Sequence, residues 1–110
     1  MAELNIQQLG KDMLKAAKTS LGESYQSVKP FADQSFKHLS QNLKMIVELR
    51  LDGTINEEQA KLHLAIYKNT VRINLLTIQG LGLLAVEAAL NAALDVVRTI
   101  INTTIGFGLL

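Results

Sequence analysis

Apolar residues recur through the first half of the chain at Leu14, Ala17, Leu21, Tyr25, Val28, Ala32, Phe36, Leu39, Leu43 and Val47. Steps of three and four keep them in one stripe along a helix. Pro30 interrupts that stripe. Proline disfavours helical geometry at the residue before it and suits a first turn, so the pattern predicts one helix over 3–28 and another over 30–51. A single helix kinked at Pro30 is the alternative. Strand-like alternation is nowhere sustained.

The sharpest local punctuation is Leu51-Asp52-Gly53-Thr54-Ile55-Asn56-Glu57-Glu58-Gln59. Gly53 can take the positive φ that ends a helix, and Asn56 with Gln59 forms a capping box for the next. Glu57 and Glu58 then occupy a first turn, where the helix dipole favours negative charge. The Asp-Gly-Thr-Ile run resembles the middle of an EF-hand calcium loop. In that register Glu48, Arg50 and Gln59 fall at the first, third and last ligand positions, and an arginine among the ligands with no terminal carboxylate argues against calcium.

Beyond the corner the stripe resumes at Ala60, Leu64, Tyr67, Val71, Leu75, Ile78, Gly82, Val86, Ala89, Ala93, Val97 and Ile100. Carried to Thr104 as one helix it would be about 70 Å long. A break at Gly80 and Gly82 gives helices over 56–79 and 82–105 instead. The expected fold class is all-α, with three to four long helices in a helical hairpin or bundle, assembled in an oligomer. Residues 1–110 are expected to be a single domain, divided into an amphipathic basic half over 1–55 and an apolar assembly or membrane-facing half over 56–110.

Charge is distributed unevenly. Net charge is only +1, and ten of the eleven Lys and Arg lie at or before Arg72. From Val71 to Leu110 the charged residues are Arg72, Glu87, Asp95 and Arg98. So apolar a segment is expected to exceed what the rest of a 110-residue chain can cover. On the last helix Glu87, Asn91, Asp95, Arg98 and Asn102 form a polar stripe about 80° wide, with Asp95 and Arg98 spaced to pair. Gly82, Ala85, Val86, Ala89, Ala93, Val97 and Ile100 form the expected assembly seam, its small residues permitting close helix approach. The tail Ile105-Gly106-Phe107-Gly108-Leu109-Leu110 is expected to pack against a neighbouring subunit or against its own bundle.

Membrane insertion is nearly balanced on these numbers. Ile73–Leu94 contains ten large aliphatics and one formal charge. The aliphatics contribute roughly −3 to −6 kcal/mol, while Glu87 costs about +3 and the amides add to it.

Catalytic patterns are missing. His38 and His63 belong to no helical metal-ligand spacing, and Gly80-Leu81-Gly82 lacks the third glycine of a dinucleotide loop. Lys11, Lys15 and Lys18 share a face diluted by Asp12 and Glu23. The expectation is a non-enzymatic assembly protein without cofactor, metal, nucleic acid or small-molecule substrate. Its partner is a further copy or another helical protein, met through the C-terminal helix. The alternative is a small membrane-inserting protein whose C-terminal helices form a pore or anchor. A cytoplasmic or membrane-associated location is expected, since the N-terminus lacks the apolar core of a secretory signal and the chain has no cysteine.

Overall fold

A computed structural model of the chain describes residues 6–77 and 81–110. Its described residues form four helices: α1 (Ile6–Leu21), α2 (Ser24–Leu51), α3 (Glu57–Leu76) and α4 (Leu83–Ile105). They pack as a bundle in which α1 lies against both α4 and α2, α2 against α3, and α3 closes on α4 over a smaller area. At 1.5 Å per residue the 28 residues of α2 extend about 42 Å. That matches the 42 Å long axis of the molecule, so α2 is its spine.

The first chain reversal falls at Gly22, not at Pro30. Gly22 has φ +59° and its N–H donates to the Lys18 carbonyl at 3.0 Å, which ends α1 in a left-handed cap. The predicted helix over 3–28 is therefore two helices, and residues 3–5 of it lie outside the described residues. Pro30 sits inside α2. Pro30 and Gln26 are both exposed, so water can replace the donor that the ring removes. A Cβ at Gly22 would meet no atom within 4 Å. Gly22→Ala is accordingly expected to cost about 1–2 kcal/mol through the backbone alone, checked as a lower urea midpoint with unchanged slope.

The second corner is built as its residues foretell. Gly53 has φ +80°, and Asp52 Oδ1 accepts from the Thr54 N–H at 2.9 Å and from its hydroxyl at 2.5 Å. Asn56 Oδ1 accepts from Gln59 N–H at 2.8 Å while Gln59 Oε1 accepts from Asn56 N–H at 2.9 Å, completing the capping box. α3 then ends at Leu76 and α4 starts after the N-cap Gly82. The continuous 70 Å helix does not form, so Ile73–Leu94 is divided between two helices. Positions 78–80, which include the end of the 56–79 helix and Gly80, lie outside the described residues.

The core follows the stripe read from the sequence. Met13, Ala17, Val28, Ala32, Phe36, Leu39, Leu43 and Val47 are buried, with Leu14 half-buried at the edge. At Gly10 a Cβ would come within 3.1 Å of Ser40 Oγ, so α1 approaches α2 closely where the side chain is missing. Val86, Ala89, Leu90, Ala93, Leu94, Val97, Ile101 and Ile105 of α4 are buried in the same core. The expectation that residues 71–110 outgrow their cover is thereby corrected. α1 covers most of that surface, leaving Ile73, Leu76, Leu83, Leu84, Val96 and Ile100 exposed.

Candidate interaction surface

α3 is apolar on two opposite sides. Ala60, Leu64, Val71 and Leu75 face inward and are buried, with Tyr67 half-buried beside them. On the far side lie Leu62, Ile66, Ile73 and Leu76, exposed to 64, 60, 53 and 38 %. With exposed Asn69 among them, the steps are four, three, four and three residues. At 100° per residue all five fall within a sector about 80° wide. The four aliphatics present about 400 Å² of apolar surface, within the range of the largest patch on a typical monomer, which is often functional. At the next corner Leu83 and Leu84 open α4, Leu84 being 87 % exposed.

Most of the residues expected to form a seam on α4 are inside the fold. Val86, Ala89, Ala93 and Val97 are buried within the chain's own core, Ala85 is half-buried, and Gly82 and Ile100 are exposed. Four of the seven residues are thus inside the core, on the helix that packs mainly against α1, and are not an outer surface of this fold. The reason is geometric. α1 carries its own inward row of Leu9, Met13, Ala17 and Leu21, and small side chains on α4 let the two helices close together.

The polar stripe divides into three parts. Glu87 ties α4 to α3: Arg72 donates through Nε and Nη2 to its two carboxylate oxygens, the second at 3.2 Å. Arg98 and Asp95 form the expected pair three residues apart on the exposed side, and Asn91 is exposed near them. Asn102 holds the tail, its Oδ1 accepting from the N–H groups of Leu109 and Leu110, both at 3.0 Å. Leu109 is buried and Arg50 lies 5.8 Å from the Phe107 ring, so the tail packs on its own bundle. Glu87 and Asn102 therefore have structural partners inside the chain.

Other polar groups are dispersed. His38 is exposed and His63 stands beside Tyr67, with ring centroids 6.1 Å apart. Among the described residues no three His, Cys, Asp or Glu side chains gather where they could hold a metal. An open groove of about 650 Å³ between α1 and α2 is lined in part by Lys11, Lys37, Asp33 and Gln41. Asp33 is engaged there, accepting from the Tyr25 hydroxyl at 2.5 Å. That hydrogen bond, with burial and the nearby carboxylate charge adding to it, pushes the Tyr25 phenol up to about 12.

The folded chain thus holds the Tyr25 proton more tightly than the unfolded chain. Its contribution to stability is complete below about pH 10 and is lost as pH rises toward 12. Asp33→Ala is expected to remove this alkaline dependence. Urea melts of both proteins across that window, together with phenolate absorbance, measure it.

Comparison with family models, with curated proteins and with solved structures gives no match to this chain.

The row Leu62, Ile66, Ile73 and Leu76 escapes a reading that follows the strongest stripe alone. Its signal, with Asn69 included, is a second four-three-four-three spacing, displaced half a turn from Leu64, Val71 and Leu75 on the same helix.

Proposed function

We propose that the chain is a non-enzymatic assembly protein, a self-associating or adaptor subunit that works by helix-to-helix contact. The observation that carries this reading is the alignment of Leu62, Ile66, Ile73 and Leu76 on the outer side of α3. Singly exposed aliphatics are ordinary, whereas an apolar row interrupted only by Asn69 and set opposite a complete core face has a cost in water that contact with another helix removes. The C-terminal helix supports the surface from behind. Its Glu87 fixes Arg72, and its inner face holds α1.

A second reading, a membrane-inserting protein whose C-terminal helices form a pore or anchor, draws on Leu83 and Leu84 at the start of α4. No helix among the described residues is long and apolar enough to cross a membrane. Of the polar stripe that would line a pore, Glu87 and Asn102 are engaged within the bundle.

Size fractionation of an extract from cells that make the protein tests the assembly reading. The chain should elute well above its own 12.1 kDa, and Ile66→Glu with Ile73→Glu should return it to monomer size. Elution of the unaltered chain as a monomer, or a large size retained by the double variant, contradicts the proposal.

A further inference from the structure

We infer that the occupant of the outer α3 face is a second copy of this chain, its α3 parallel to the first and in register, so that Asn69 meets Asn69. The inference rests on the assembly reading above and specifies its partner.

The spacing is that of a coiled-coil seam. Ile66 and Ile73 occupy a positions, and Leu62, Asn69 and Leu76 occupy d positions. Isoleucine at a with leucine at d is the combination that favours two parallel strands. Leu64 and Val71 are then the f residues, directly behind the seam, and both are buried against the rest of the bundle. The fold thus holds the helix by its back and leaves the a/d edge outward. Two heptads are too short to pair as isolated peptides, but α3 is already ordered by its bundle, so pairing bears no cost of helix formation.

Asn69 sets direction and register. Its Oδ1 accepts from Arg72 Nη1 at 3.3 Å, and its NH₂ group has no partner among the described residues. An amide in an apolar seam must find a donor or acceptor across the interface, and an identical amide supplies both. Parallel in-register pairing places the two Asn69 side chains opposite each other. Antiparallel pairing layers a against d, which sets Asn69 against Ile66 or Ile73 of the other copy and strands its amide.

The flanking charges agree with this arrangement. The g positions are Glu58, Ala65 and Arg72, and the e positions are His63, Thr70 and Thr77. In the parallel pair each g residue faces the e residue five places on in the other copy. Glu58 then approaches His63, Ala65 approaches Thr70, and Arg72 approaches Thr77. No like charges oppose. With the flanks included, two copies would bury about 1,200 Å², the lower end of specific interfaces, so a concentration-dependent dimer is expected.

The test uses the natural absence of cysteine. The purified 110-residue chain should pass from 12 to about 24 kDa as its concentration rises toward about 1 mM. On mild oxidation Leu62→Cys, which keeps Asn69, should form a covalent dimer roughly tenfold faster than Thr19→Cys, an exposed position on α1, because pairing raises the local thiol concentration. Circular dichroism checks that both variants are folded. A monomer throughout the concentration range overturns the inference. If the extract nonetheless shows a large species, the partner is another protein and the assembly reading stands. A dimer in which Leu62→Cys links no faster than Thr19→Cys also overturns it. Linking of Leu62→Cys only to Ile73→Cys in a mixture assigns the antiparallel arrangement instead and overturns the inference.

Discussion

Phe36→Ala is expected to lower the unfolding free energy by about 3–5 kcal/mol, the usual cost of emptying a fully buried aromatic site. Phe36 is entirely inaccessible and lies midway along α2, the longest of the four helices, which packs against α1, α3 and α4. The packing around it cannot collapse without shifting that spine. Domains of this size have about 5–15 kcal/mol to lose, so the variant should melt about 10–20 °C lower and unfold at much lower urea. Thermal and urea denaturation followed by circular dichroism give both values. A loss under about 1 kcal/mol would mean that the core is not centred on α2.

Ala89→Leu is expected to destabilise the fold by about 1–3 kcal/mol, because the added atoms have no space between α4 and its neighbours. Ala89 is fully buried, whereas Ala88, one residue earlier, is exposed. Ala88→Leu should therefore change stability by less than about 0.5 kcal/mol. Neither substitution touches the outer α3 row, so the mass of folded protein should match that of the unaltered chain. Urea midpoints measure the first contrast and light scattering the second. Assembly weakened by Ala89→Leu in a chain of undiminished stability would restore the α4 seam as an external contact.

Much of the helical content was legible because its signals are local. The Gly53 turn, the Asn56–Gln59 capping box and the acidic first turn of α3 lie within eight residues of one another, and each acts through groups that the sequence itself places together. The hairpin at Gly22 was less legible for a definite reason. Leu21 and Tyr25 keep the step of four across it, and periodicity is unaffected by a reversal that leaves the spacing intact. Pro30 offered a stronger breaker in a place where an exposed helix face tolerates it.

The exposed apolar face was harder to locate because burial is decided between distant elements. Nothing near Ala89 or Ala93 shows that α1, some seventy residues earlier, will cover them. Once α1 takes that face, the apolar surplus appears on α3, where one row faces the core and the other does not. Asn102 shows the same limit. Its spacing places it on a polar stripe, yet its amide holds the backbone of Leu109 and Leu110.

The chain therefore has enough internal cover to fold and an outer row that folding alone does not explain. Glutamate at Ile66 and Ile73 separates the two properties, since both side chains point away from the core. Sedimentation equilibrium of the purified chain beside the Ile66→Glu/Ile73→Glu double variant is the most direct measurement. The first should dimerise with rising concentration, and the second should remain a folded monomer of about 12 kDa at every concentration. Equal masses for the two proteins, with the double variant still fully helical, would contradict pairing through the outer α3 row.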